Sequence, residues 1–123
     1  MVVAKTNRID GEIQSISEMT IRILITPKAS QDIDRLFAYI AQNNNEAALR
    51  FFDATRQTIA GLAENPGKGS LFEIDNSQLV GLRKWGVKGF KKYLIFYLAD
   101  EELLTVIRIV HASRDIPNIL IED

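Results

Sequence analysis

The spacing of apolar residues changes period several times along this chain, and each change marks an element. Ile21, Ile23 and Ile25 recur every second residue between Thr20 and Thr26, with Leu24 on the opposite side, which predicts a strand. Thr26-Pro27 then supplies a helix N-cap and a proline at the first helical position. From Pro27 to about Gln42, Ile33, Leu36, Phe37 and Ile40 fall at i, i+3, i+4 and i+7, while Asp32, Asp34 and Arg35 lie off that stripe. Asn43-Asn44-Asn45 predicts a turn with a ready cap, and Glu46 suits the first turn of a second helix. Its stripe is Ala48, Phe52, Thr55, Ile59 and Leu62, widened by Phe51 and Ala63, and Asn65-Pro66-Gly67 ends it. Two amphipathic helices joined by so short a turn form an antiparallel hairpin, with Phe37 and Phe52 expected in its core.

After the hairpin the pattern predicts a loop over 65–77, a strand over 78–87, a turn at Lys88-Gly89, a strand over 92–98 and a turn over 100–102. A strand over 103–111 follows, and Pro117 limits 115–120 to one or two helical turns. The expected fold is therefore α+β: an N-terminal strand, an antiparallel helical hairpin, a three-stranded antiparallel meander and a short C-terminal turn or helix. The hairpin is expected on one face of the sheet, leaving the other open. Residues 1–18 carry little pattern and are expected to be a flexible extension, with Met19 an alternative start and 19–123 the folded domain.

Leu103 to His111 is the most apolar of these segments, interrupted only by Thr105 and Arg108. A strand apolar on both sides belongs in the interior of a sheet, so a charge within it needs a partner or a wet face. Alternation places Arg108 with Val106 and Val110, opposite Ile107 and Ile109, and makes it a candidate for the open face.

Composition narrows the chemistry. The 123 residues suit one domain, and 46% hydrophobic with 25% charged residues is ordinary for a globular protein. Fifteen basic residues against 16 acidic ones give no overall attraction to polyanions, yet the charge is uneven. Between Asn76 and Ala99 there is no acid, while Arg83, Lys84, Lys88, Lys91 and Lys92 cluster there. That cluster reads either as a solvated hairpin edge, where lysines discourage aggregation, or as a surface for an acidic partner or nucleic acid. The absence of cysteine excludes disulfides and thiolate metal sites, and no run approaches membrane-span length, so a cytoplasmic setting is expected. No spacing of acids or of the single histidine suggests a metal, and no cofactor is expected.

Enzymatic candidates are few. His111 stands two residues from Ser113 with no evident oxyanion loop, which favours a structural or partner-contacting role over a general base. Gly67-Lys68-Gly69-Ser70 has neither the spacing nor the preceding strand of a phosphate-binding loop. Arg83, Arg108 and Arg114 could each hold phosphate or a partner carboxylate in bidentate fashion, and Arg114 could equally pair with a neighbouring acid. Trp85, on the same face as Arg83, reads as core or rim packing before it reads as a stacking platform.

Several short segments, weak singly, occur together in order: Thr26-Pro27-Lys28-Ala29 with Asp32-Ile33, Tyr39-Ile40-Ala41, Ala47 to Phe51, Leu62 to Pro66, Gly81-Leu82-Arg83, Tyr93 to Tyr97, and Val106 to His111 running into Arg114-Asp115. In that order they resemble the ParE branch of the ParE/RelE superfamily, the toxins of type II toxin-antitoxin modules. The resemblance implies a helical hairpin over an antiparallel sheet, a cognate ParD-like antitoxin, and DNA gyrase as target. It implies contact with operator DNA through the antitoxin complex, not by the toxin alone. RelE-like members instead cleave messenger RNA on the ribosome. By resemblance these place basic residues before the arginine matching Arg83, arginines at the positions of Tyr93 and Arg114, and an aromatic or histidine near the C-terminus. This chain has Leu79, Gly81, Tyr93 and Leu120 there and keeps only the two arginines. A non-enzymatic gyrase inhibitor is therefore expected; the alternatives are a nuclease using Arg83, Arg114 and His111, and a degenerate toxin that acts only as antitoxin partner or co-repressor. The residues expected to meet target or antitoxin are Arg83, Lys84, Trp85, Lys88, Lys91, Lys92, Arg108, His111 and Arg114, with an apolar groove beside the hairpin as a second antitoxin contact.

Overall fold

The computed structural model describes residues 21–121 and the backbone of residues 2–3. Strands are β1 (Val2–Val3), β2 (Arg22–Ile25), β3 (Ser70–Leu71), β4 (Arg83–Val87), β5 (Phe90–Ala99) and β6 (Leu103–His111). Helices are α1 (Pro27–Ala41), α2 (Asn45–Glu64) and α3 (Ile116–Ile121). One mixed sheet has the order β1-β2-β6-β5-β4-β3, parallel between β2 and β6 and antiparallel elsewhere. Of the expected extension, Val2–Val3 pair with Leu24 and Ile23, while residues 4–20, including Met19, lie outside the described residues.

The helix starts follow the expected chemistry. Thr26 is extended and its Oγ1 accepts from the Ala29 N–H at 3.1 Å, and Asn44 Oδ1 does the same for Ala47 at 3.0 Å. Helix α2 buries Ala48, Phe51, Thr55, Thr58, Ile59, Leu62 and Ala63. Phe51 is fully buried and meets Phe90 and Tyr93 edge-on, whereas Phe52 is 40% exposed and rests on Phe37 at the outer surface of the hairpin. The expectation of Phe52 as a core residue is thus corrected by one position: the inward stripe runs through Phe51.

Three further expectations change. The meander has a fourth strand, since β3 pairs with β4 through Ser70–Lys84 and Leu71–Arg83. Its two exposed residues give no periodic signal. The expected strand over 78–87 is divided, with a 3₁₀ turn over Ser77–Leu79 and β4 starting at Arg83. Nor is the second face open. Phe96, Val110, Leu79, Leu82, Ile119 and Leu120 form a second core there, with Phe72, Ile74 and Ile107 against it. The segment 72–82 and α3 together cover the face that the hairpin does not.

The turn between β4 and β5 holds Lys88-Gly89, with Val87 opposite Phe90 and Gly89 at φ +80°, a backbone region that glycine enters without penalty. In β6 the pairing slips: Phe96 lies opposite Arg108 but Tyr97 opposite Val106, so Ile107 is a bulge residue. The bulge inverts the alternation that the sequence suggests. Val106 and Ile109 both join the helix-side core, and Arg108 is carried to the edge that β2 vacates after Ile25.

At that edge the N-terminal half of α1 takes over the hydrogen bonding. The Thr26 N–H donates to Val106 O at 3.2 Å and Thr26 Oγ1 donates to Ile107 O at 3.0 Å. Asp32, 2% exposed, accepts from the Ile109 N–H at 3.0 Å, from Arg108 Nε at 2.7 Å and from Arg108 Nη2 at 3.0 Å. A carboxylate therefore completes the ladder where the strand ends, and a guanidinium neutralises it.

Candidate functional site

The basic segment is distributed over three sides of the molecule. Arg83 and Trp85 share one face of β4, the face of Val87 and the helices, while Lys84 turns to the other and lies over Phe72 with 5.6 Å between its Nζ and the ring centre. The Arg83 guanidinium donates to the carbonyls of Gly67 and Gly69, the former at 3.3 Å. Beside it Tyr97, fully buried, donates its hydroxyl to Pro66 O at 2.6 Å and accepts from the Gly69 N–H at 2.9 Å. Burial raises the Tyr97 hydroxyl above its ordinary pKa, opposed by the Gly69 N–H and the positive charge of Arg83. Gly69 is required for this approach, since a Cβ there would lie 2.6 Å from the tyrosine oxygen and 2.7 Å from Lys84 O.

The latched loop places Lys68 at the mouth of a cleft. Its ammonium stands 5.1 Å from the centre of the Trp85 ring, which is 36% exposed. The cleft, about 740 Å³, has Gln57, Thr58 and Gly61 of α2 as one wall and Trp85 and Gly86 as the other, with Lys88 and Lys91 completing the lining. The Lys88 N–H donates to Thr58 Oγ1 at 3.1 Å, fixing the hairpin tip to α2. Gly86 lets β5 pass close, because a Cβ there would meet Lys91 O at 3.0 Å.

The remaining candidates stand apart. His111 Nδ1 is 2.8 Å from Ser113 Oγ and accepts from the Ser113 N–H at 3.1 Å, and its ring meets Tyr93 edge-on at 5.0 Å. Arg114 is exposed just beyond it and Lys92 is exposed on β5. Arg83 lies opposite Tyr97 and His111 opposite Tyr93, so four residues and two strand spacings separate their backbones, on the order of 16 Å. Arg83 therefore stands apart from His111 and Arg114, whose backbones are hydrogen-bonded to each other, and it already holds a loop. Arg108, the other expected contact residue, is corrected most clearly. Its side chain is 12% exposed and sits in the bidentate pair with Asp32, with Nη1 also donating to Ile119 O at 3.2 Å. Asp32 itself has no signal in the helical pattern, because its partner lies 76 residues away.

Among the described residues no group of histidine, cysteine and carboxylate side chains could hold a metal, and no helix is long and apolar enough to cross a membrane. On the hairpin Tyr39 is 62% and Leu49 58% exposed, and Leu49 lies one turn before Phe52 of the Phe37–Phe52 pair.

No curated protein matches this sequence. A solved structure described as the chromosomal ParDE TA system from P. aeruginosa is similar in fold, with a TM-score of 0.59 and 17% identity over 76% of this chain and 97% of that one. The model of the ParE toxin of the type II toxin-antitoxin system parDE matches residues 23–116, from β2 through the hairpin and the sheet to the start of α3. On that match, the chain belongs to the ParE toxin family of type II toxin-antitoxin systems.

Proposed function

We propose that this protein is a toxin that arrests DNA gyrase without catalysing a reaction, and that a ParD-like antitoxin neutralises it in the cytoplasm. The reading rests on family membership, and the separation of Arg83 from His111 across the sheet is the observation that favours inhibition by binding over cleavage of RNA. General acid–base catalysis needs its groups within hydrogen-bond reach of one substrate position, and Arg83 is instead turned to the carbonyls of Gly67 and Gly69. The exposed side chains at the hairpin tip and along β4 and β5 (Lys88, Lys91, Lys92 and Trp85), with the half-buried Lys84 and His111 and the exposed Arg114, are the surface offered to target or antitoxin. Arg108 serves the fold.

The antitoxin contact is assigned to the Phe37–Phe52 pair with Leu49, an apolar strip on helices already packed on their inner side. Supercoiling by purified gyrase is the test: loss of supercoiling on adding the protein, reversed by its antitoxin, is the expected result, with cellular messenger RNA intact. Cut RNA with unaffected gyrase would replace this reading with a nuclease one.

A further inference from the structure

Trp85, Lys88 and Lys91 count as surface in the reading above, which leaves unexplained the cleft that they line with Lys68 between α2 and the β4–β5 hairpin. Three lysines line it from three separate segments: Lys68 from the latched loop, with its ammonium over Trp85, Lys88 from the hairpin turn and Lys91 from β5. Its lining contains no carboxylate. Lys84, with its ammonium over Phe72 on the other face of the sheet, takes no part, so the convergence is a property of the cleft and not of the basic segment as a whole. The volume lies in the range of small-ligand sites, and one wall is an indole.

We infer that this cleft binds a phosphorylated nucleoside, free or as one unit of a single strand, with the lysines on phosphate and Trp85 against the base. Monodentate ammonium donors placed at separate points suit a group with several charged oxygens. A planar aromatic wall suits a base, whatever its identity. A run of carboxylates would engage the lysines and leave the indole without a planar partner. Lys68 couples the two halves. With the cleft empty it lies over the Trp85 ring; phosphate draws the ammonium away and bares the ring face on which a base stacks. Arg83, Tyr97 and Gly69 position Lys68 through the loop they hold, without themselves lining the cleft. The overall charge balance, which argues against direct contact with nucleic acid, does not describe this local surface.

Trp85 is the chain's single tryptophan, so its fluorescence reports on the cleft directly. The full-length protein is titrated with ATP and, separately, with a ten-nucleotide oligothymidylate, with inorganic phosphate and oligoglutamate alongside. The expected result is a saturable change with one or both nucleotide probes, weakened at least tenfold in the triple variant Lys68→Ala/Lys88→Ala/Lys91→Ala. Tighter binding of ATP identifies a free nucleotide as the ligand, and tighter binding of the oligonucleotide a strand. For the strand, the dependence of log K on log salt has a slope of about −2 if three phosphates are met. Trp85→Ala, followed by calorimetry, costs at least about fivefold in affinity. These side chains are exposed, and circular dichroism checks that the variants remain folded. No response to millimolar ATP or oligonucleotide overturns the inference, as does binding of inorganic phosphate or oligoglutamate as tight as that of ATP. The gyrase result does not bear on this outcome, so either proposal can fail alone.

Discussion

Replacing Asp32 with alanine removes one carboxylate and four hydrogen bonds at once, and the structure says which of them matter. Arg35 reaches Asp32 Oδ1 at 3.3 Å from a side chain that is 64% exposed, so its share is small, about 0.5 kcal/mol. Arg108 is different, because its guanidinium is 12% exposed and Asp32 is the carboxylate that neutralises it, through Nε and Nη2. Breaking a buried pair from one side costs about 3–5 kcal/mol, because the remaining charge is stranded. The Ile109 N–H also loses its acceptor, a related loss of about 1–3 kcal/mol that is not simply additive. Against a total stability of roughly 5–15 kcal/mol, Asp32→Ala therefore leaves a marginal fold. With a urea m-value near 1.5 kcal/mol/M, the midpoint falls by about 2–3 M, read by circular dichroism and Trp85 fluorescence. Arg108→Met strands the carboxylate instead and is also destabilising. The double variant Asp32→Leu/Arg108→Met recovers most of the loss, since apolar replacement of a whole buried pair is close to neutral. It keeps the deficit of the unpaired Ile109 N–H. An Asp32→Ala protein within about 1 kcal/mol of the parent, or a double variant as unstable as the sum of the singles, would refute the assignment of this pair as the joint between α1 and β6.

Other perturbations separate the remaining contacts. Phe51→Ala should cost about 3–5 kcal/mol and Phe52→Ala under about 1 kcal/mol in urea unfolding, whereas Phe52→Asp should abolish antitoxin binding in a pull-down without unfolding the toxin. Gly69→Ala forces a methyl group into the Tyr97 hydroxyl and the Lys84 carbonyl and should lower stability by about 1–3 kcal/mol, with the loss only partly relieved when Tyr97→Phe has already removed the hydroxyl, because the Lys84 carbonyl stays in the way. Stability should fall above pH 10, because the unfolded tyrosine ionises there while the folded one, its pKa raised by burial, still holds its proton; the contribution is complete below pH 10 and is lost as pH climbs through the folded value. Tyr97→Phe should flatten that alkaline limb in thermal melts. Asp100 accepts from the Glu102 and Leu103 N–H groups, and these lower its pKa, so the turn it holds should loosen as pH falls through that lowered value, seen in amide exchange at Leu103 and absent in Asp100→Asn.

Local chemistry made much of the fold legible. The caps at Thr26-Pro27 and Asn44 and the turn at Lys88-Gly89 are made by neighbours a few residues away, and their structures follow the sequence closely. What escaped depends on distant partners. Asp32 has the appearance of a surface residue until Arg108 arrives from across the sheet. Arg108 itself was assigned by strict alternation, and the bulge at Ile107 breaks the alternation one residue earlier. The second core had a faint signal in Phe72 and Ile74 alternating with Glu73 and Asp75, but four residues could not be told from a loop. The cleft needed three dimensions altogether, since Lys68 precedes the basic segment by 15 residues and meets Trp85 only because Arg83 and Tyr97 fold its loop back.

The parallel pairing of β2 with β6 also sets a clock. Residues 22–25 emerge from the ribosome early and find Val2–Val3 on one side, yet their neighbours on the other are residues 103–106, so that edge of β2 waits for roughly eighty residues of synthesis before it is paired. Until then the helical hairpin has no complete floor, and Asp32 has neither Arg108 nor the Ile109 N–H. At ordinary elongation speeds that delay is about 4–16 s. A growing chain therefore lacks its complete sheet until it is nearly finished, and the joint between α1 and β6 is among the last parts of the fold to form.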